Sequence, residues 1–355
     1  MKRQSKMSGI RKKNYICTLE KFIPDFIEFV REQFPDEDNR FITVGDISRF
    51  PYSSGEDCWH FDNWLAAAPV LLKGMIGAEK VVVHGLFSKF LIAYLALLFP
   101  LLKKCYWIVW GGDLYQYRNQ SANIKNRLKE QFRRFVIPRI GFLVAFIPGD
   151  IALARKWYKA QGTHISCFTY PSNTVSIDFP ETTVNKELTI LVGNSADPEN
   201  RHIEVLKALS EKVTELDKTK IIVPLSYGPK DHAQLVINYG TSLFGKSFVA
   251  LTEFMERKSY INLLENCDIA LFGHERQQAI GNTISLLGLG KKVHLSNNTV
   301  QWDFFKKNEI EVYDLKSIDL TKIPLASARN NAAKIRELFS KERLALDLKP
   351  IVTIE

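Results

Sequence analysis

The stretch Thr189-Ile190-Leu191-Val192-Gly193-Asn194-Ser195 decides the fold. Its apolar, β-branched run has no alternation, as expected of a strand covered on both faces, and such strands belong to parallel sheets. Small polar residues end the run, Asp197 and Pro198 follow, and a helical pattern spans 203–213. A strand, a tight loop and a helix open a βαβ unit. Backbone N–H groups in such a loop let a phosphate or sugar approach the main chain. An ordinary βα turn reads the same way, so other segments must decide its use.

The pattern recurs on both sides. Strands are expected at 15–19, 41–44, 81–84, 105–110, 142–147 and 166–170. A second series falls at 188–192, 221–224, 248–252, 268–272, 292–296 and 311–313, with helices between them, for example at 260–266 and 283–290. Residues 171–186 carry Pro171, Ser172, Asn173 and Pro180 with little periodicity, and read as a linker. The expectation is an α/β protein with two Rossmann-like doubly wound domains facing across a cleft. The first spans 1–170 and the second 187–325, with a closing helical stretch in 326–355 crossing back to the first. Ligands of such sheets bind at the carboxyl ends of the strands.

At 355 residues, 46% of them hydrophobic and 25% charged, the chain suits two globular domains. Its five cysteines are scattered without CxxC spacing, which argues against a disulfide framework and a zinc site. No GxGxxG or Walker A motif occurs, so no dinucleotide cofactor is expected. Residues 1–14 are basic and polar with no apolar run behind them, unlike a cleavable signal peptide. The apolar stretch 86–102 is bounded by His84 and Pro100 and interrupted by Lys89. That leaves fewer than the roughly 18–20 clean residues a membrane span needs.

Residues 1–170 hold 25 Lys and Arg against 15 Asp and Glu, a balance of +10, whereas 171–355 balance at −1. A basic half suits an anionic membrane surface or phosphorylated substrates. Nucleic acid is not expected, because the basic residues lack aromatic interleaving and any known motif. At helical spacing in 125–139, Lys125, Lys129, Arg133 and Arg134 surround a stripe of Leu128, Phe132 and Phe135. Such a helix can lie on anionic headgroups; it also reads as a plain solvated surface helix.

The densest polar constellation follows Leu271-Phe272: Gly273-His274-Glu275-Arg276-Gln277-Gln278-Ala279-Ile280-Gly281-Asn282-Thr283. So many polar groups at the end of a buried strand carry a desolvation cost that a ligand would offset. Arg276 can neutralise a diphosphate, Glu275 can accept from a sugar hydroxyl, and Gly281 and Asn282 can present N–H groups at a helix start. Tyr227-Gly228, after the strand 221–224, supplies an aromatic ring for a base and a turn.

In the first half, His84-Gly85 and Trp110-Gly111-Gly112-Asp113-Leu114-Tyr115 end two strands. An attacking sugar hydroxyl benefits from a general base, and Asp113 and His84 are the candidates. The paired glycines let a backbone approach a ligand, and Trp110 or Tyr115 can stack on a sugar ring.

Together these segments resemble the TDP-N-acetylfucosamine:lipid II N-acetylfucosaminyltransferase family. The resemblance is carried by His84-Gly85, the block from Trp110 to Tyr115, Ile190 to Ser195, and Val223-Pro224 with Tyr227-Gly228. It continues through Arg276-Gln277-Gln278 with Ile280-Gly281, and Gln301-Trp302-Asp303, in order from about 80 to 305. It implies a GT-B glycosyltransferase without a DxD metal site, peripheral on the cytoplasmic face of the bacterial inner membrane. The expected donor is a dTDP-sugar, and the expected acceptor is a polyprenyl-diphosphate-linked saccharide of enterobacterial common antigen or O-antigen assembly. Gly193, Asn194, Ser195, Tyr227 and the residues from Arg276 to Asn282 fall on the donor side; Asp113 and His84 fall on the acceptor side.

Overall fold

A computed structural model describes residues 13–118, 124–175, 179 and 187–353. The chain forms two compact units: one runs to Ser172 and includes the stretch from Glu342 onward, and the other is Asn173–Lys341. The linker expectation falls largely on residues outside those described.

In the first unit, the described strands are β1 (Lys13–Thr18), β2 (Asn39–Val44), β3 (Cys58–Phe61), β4 (Lys80–His84), β5 (Cys105–Ile108), β6 (Phe142–Val144) and β7 (Thr163–Ile165). They pair in the order β3-β2-β1-β4-β5-β6-β7, every pair parallel. Val81, Val82 and Val83 of β4 have no exposed surface, as expected of a strand with helices on both sides.

The second unit contains β8 (Leu188–Val192), β9 (Thr219–Pro224), β10 (Phe248–Leu251), β11 (Ile269–Phe272), β12 (Lys292–Leu295) and β13 (Tyr313–Asp314). Their order is β10-β9-β8-β11-β12-β13, again all parallel. Each sheet therefore reverses its winding once, between β1 and β4 and between β8 and β11. These are the topological switch points where open α/β sheets leave a crevice at the strand ends. The fold class read from the sequence is the one observed.

Several boundaries differ. The edge strand β3 was not expected: Cys58-Trp59-His60-Phe61 is short and half-buried throughout, so it lacks the buried apolar run that betrays a central strand. The strand expected at 166–170 is instead β7 at Thr163–Ile165, and Thr169 beyond it takes a left-handed φ of 64°. The closing helical stretch expected in 326–355 is two helices, Leu325–Phe339 and Lys341–Val352, separated by Ser340 in an extended conformation. The second of these lies in the first unit, where Lys80 Nζ donates to Pro350 O and Thr353 O. The apolar stretch after β4 forms a helix at Lys89–Leu97 and a 3-10 segment at Phe99–Lys104. No helix among the described residues is long and apolar enough to cross a membrane.

Candidate functional site

The first unit brings its polar residues together at the ends of β4 and β5. Trp110 precedes a one-turn helix, Gly111–Leu114, whose third residue Asp113 reaches back to accept from Trp110 N at 2.9 Å. Its other carboxylate oxygen accepts from Leu86 N at 2.7 Å and Trp107 Nε1 at 2.8 Å. Asp113 has no exposed surface. Burial pushes its pKa up, while Arg133 and the three donors pull it back. A general base must touch the hydroxyl it deprotonates. In this structure Asp113 ties β5 to the loop after β4.

His84 is also sequestered. Its Nδ1 lies 2.9 Å from Tyr170 Oη, and the same oxygen accepts from Trp110 Nε1 at 2.7 Å. The imidazole tautomer sets which partner donates in the bond between Nδ1 and Tyr170 Oη. Nε2 is buried without a partner, and burial lowers the His84 pKa to about 3. His84 is a neutral internal ring in this structure, not an exposed base.

Arg133 overturns its expected membrane-facing place. It is fully buried and donates to Leu86 O at 2.8 Å, Gln116 Oε1 at 3.1 Å and Asp113 O. Its planar fork satisfies carbonyls that would otherwise be buried unpaired. Lys129 turns the same way, half-buried and donating to Gln116 Oε1 at 2.9 Å. Arg134 does face outward, while the side chain of Lys125 lies outside those described. Tyr115 is core: it is buried edge-on against Trp157, so it presents no face to a sugar. Gly111 is buried in the short helix, and Gly112 is exposed beside the Phe87 ring.

Sequence reasoning passed over Asp150, third residue of the helix Pro148–Tyr158 at the end of β6. Its Oδ1 is buried without a partner, and burial, with Asp113 nearby, pushes its pKa up to about 7. Proline opening a helix and an acid two residues later were the available signal.

The second unit assembles its polar groups at the β8/β11 switch point. Gly193 has φ 68°, and a Cβ there would lie 2.6 Å from His202 Nε2 and 3.0 Å from Asn200 Oδ1. Only glycine fits both the conformation and the space. Buried Asn200 then knits the loop. It accepts from Asn194 N at 3.2 Å and donates to Ser195 O at 3.2 Å, Ser195 Oγ at 3.3 Å and Asp197 O at 3.2 Å. The loop after β9 docks alongside, with Ala196 N donating to Tyr227 O at 2.6 Å. The Tyr227 ring is 68% exposed and so able to stack.

The loop after β11 meets that from β8 through ion pairs. Arg276 Nη2 lies 3.2 Å from Asp197 Oδ2 and its Nε engages Glu199, while Glu275 pairs with Arg201 Nη1 at 2.7 Å. The diphosphate expected on Arg276 would have to displace two carboxylates, so here the guanidinium straps two loops. Asn282 donates its amide to Tyr260 Oη at 2.7 Å. The helix Ile280–Gly288 has no side-chain cap, and Ala279 before it has φ 54°. Its first N–H groups, Gly281 among them, have no intrahelical acceptor. Gln277 and Gln278 are half-buried in the connecting loop.

What stands out here is unfilled hydrogen-bonding capacity. Asn194 Oδ1, His202 Nε2, both ring nitrogens of His274, Gln278 Oε1 and both amide atoms of Gln301 are buried with no partner among the described residues. His274 and Gln301 have no exposed surface. The His274 ring stacks on Phe272, with centroids 5.5 Å apart, and burial, then Arg276, lowers its pKa to about 3. Buried polar atoms are normally paired, because each one left unpaired costs about 1–3 kcal/mol. Those named here lie in the segments that follow β8, β11 and β12.

Comparison with known proteins agrees with this architecture. The N-terminal domain of Candida albicans trehalose-6-phosphate phosphatase superposes with TM-score 0.66 at 10% identity, covering 95% of each chain. Anabaena HepE in complex with UDP and glucose gives TM-score 0.66 at 10% identity over 96% of this chain and 98% of that one. A UDP-forming trehalose-phosphate synthase from Burkholderia xenovorans gives 0.63 at 10% identity over 97% and 100%. At that identity the likeness establishes the fold, that of GT-B glycosyltransferases. In sequence, residues 26–338 match the 4-alpha-L-fucosyltransferase family, glycosyl transferase group 56.

Proposed function

Because the chain belongs to the 4-alpha-L-fucosyltransferase family, glycosyl transferase group 56, and is thus a nucleotide-sugar glycosyltransferase, we propose a specific transfer for it. It moves an amino-deoxy sugar of the N-acetylfucosamine type from a dTDP-sugar to a polyprenyl-diphosphate-linked saccharide. The reaction serves bacterial surface polysaccharide assembly, of enterobacterial common antigen or O-antigen, with the enzyme held peripherally at the cytoplasmic face of the inner membrane.

The observation that carries the donor assignment is the uncapped start of the helix Ile280–Gly288 beside the Gly193–Ser195 loop at the β8/β11 switch point, with the Tyr227 ring exposed next to that loop. The uncapped helix at Ile280 offers N–H groups to the diphosphate, and the Gly193–Ser195 loop offers a close approach to its backbone. As the glycosidic bond to the donor phosphate breaks, negative charge grows on the leaving diphosphate, and fixed N–H dipoles stabilise it without reorganising. Arg276 joins them by exchanging Asp197 and Glu199 for phosphate. On the acceptor side, Asp113 and His84 act as positioning residues that hold the Trp110–Gly112 turn.

The test is calorimetry with dTDP, UDP and thymidine, followed by incubation with membranes and a panel of TDP- and UDP-sugars, identifying the lipid-linked product by mass. Tight binding of dTDP over thymidine, weakened by Arg276→Ala, supports the reading. If no nucleoside diphosphate binds and Arg276→Ala changes nothing, the donor assignment fails.

A further inference from the structure

The first unit carries a face that its own fold does not explain. The helix Trp64–Gly77 is apolar nearly all round, with Lys73 its one charged residue. Such a helix is ordinarily buried or in lipid, yet its outer stripe leaves Leu65, Leu72 and Ile76 exposed. Beside it, the helix Lys89–Leu97 is similarly apolar, and Leu97 is 78% exposed, with Phe99 half exposed just beyond.

These elements form one surface. Tyr94 Oη donates to Ala68 O at 2.7 Å, and Lys104 Nζ donates to Ile76 O at 3.2 Å and Ala78 O at 2.6 Å, so the first two elements lie side by side. Phe99 stands edge-on to Phe135, centroids 6.0 Å apart, which joins the helix Ile124–Val136 to them. That helix adds exposed Leu128 and Phe135, each preceded by an exposed arginine, Arg127 and Arg134, with Arg139 just past its end. The Arg139 guanidinium sits 3.9 Å over the Phe135 ring.

Charge selects the occupant. Across 64–77, 89–104 and 124–139 the only acidic side chain is Glu130. Arg134 Nε lies 3.3 Å from it and Tyr158 Oη 3.2 Å, so it is already engaged. Arg134 is paired with Glu130, and the exposed cations Lys73, Lys103, Arg127 and Arg139 accompany the apolar side chains with no other carboxylate in these three stretches. A second copy laid on this face would set cation against cation. An anionic bilayer meets both features, with acyl chains for the apolar tips and headgroups for the cations. The helices are 14, 9 and 13 residues long, too short to span, so they lie in the interface.

We propose that the first unit docks on an anionic lipid bilayer through this three-helix face, inserting Leu97, Phe99 and their neighbours while Arg127, Arg134 and Arg139 grip the headgroups. The proposal deepens the membrane clause of the function above and moves the contact away from Arg133 and Lys129.

Vesicle co-sedimentation tests it, using phosphatidylethanolamine vesicles with or without phosphatidylglycerol. Wild type is expected to bind the anionic vesicles, and either Leu97→Ser with Phe99→Ser or Arg127→Gln with Arg134→Gln and Arg139→Gln to weaken binding by roughly tenfold or more. A bimane label on Leu97→Cys should shift to the blue on the anionic vesicles, a readout independent of the multiple variants' folding. Unchanged partitioning in both variants, or no blue shift, overturns the proposal. So does concentration-dependent self-association of wild type that Leu97→Ser with Phe99→Ser abolishes. dTDP calorimetry on the same samples separates the claims, since failure there sinks the donor assignment and leaves the vesicle result standing.

Discussion

The indole N–H of Trp107 donates to the Asp113 carboxylate at 2.8 Å, inside a core where neither residue has exposed surface. Two backbone N–H groups, of Leu86 and Trp110, donate to the same side chain. Asp113→Asn puts an amide NH2 where at least one of these donors points, and two donors facing each other cannot both be satisfied. The expected result is a loss of about 2–4 kcal/mol in chemical denaturation, with dTDP binding retained by the second unit. Unchanged stability with abolished transfer would restore Asp113 as a base.

Buried imidazoles, His84, His202 and His274 among them, shape the acid limb of stability. Burial lowers His84 and His274 to about 3 and His202 to about 4, from an ordinary 6.5. The unfolded chain therefore binds these protons first as pH falls, and stability drops below pH 6.5, each imidazole contributing up to about 1.4 kcal/mol per pH unit. The contributions saturate near pH 4 for His202 and near pH 3 for the others. Asp150, raised to about 7, works the other way: its contribution is full below its unfolded value near 4 and is lost as pH rises toward 7. Denaturation of wild type and His274→Phe between pH 4 and 7 measures this, and the variant should show the shallower slope.

Gly193 and Gly245 both have positive φ but different surroundings. A Cβ on Gly193 would strike His202 Nε2, whereas one on Gly245 would meet nothing within 4 Å. Gly245→Ala should therefore cost about 1–2 kcal/mol from backbone strain alone. Gly193→Ala should cost more and also weaken dTDP binding, because His202 and Asn200 must move. Thermal melts and calorimetry on the pair check both parts.

Arg133 and Arg134 are sequence neighbours with opposite fates. Arg133→Lys keeps the charge and loses the fork that serves Leu86 O, Gln116 and Asp113 O, at an expected cost of about 2–4 kcal/mol. Arg134→Gln, on an exposed side chain, should change stability by no more than about 0.5 kcal/mol. Equal effects in denaturant titrations would contradict the assignment of inward and outward faces.

The amino-acid sequence by itself determined the architecture. Covered parallel strands demand unbroken apolar runs, so Ile190–Val192 and Val81–Val83 announce themselves, and the small residues at their ends mark the loops where a ligand can reach the backbone. The same local reading placed the loops around Gly193, Tyr227 and Arg276 at strand ends, where the structure has them. It could not say which way a polar side chain turns. That depends on partners far away in sequence: Tyr170 for His84, Leu86 for Asp113 and Arg133, Asp197 and Glu199 for Arg276. Periodicity assigned Arg133 to the outside because charge is ordinarily solvated, and only the fold brings buried carbonyls to meet it. The exposed apolar face was hidden for the converse reason: a run such as Phe90 to Phe99 reads as core, and exposure is decided by whether another element covers it.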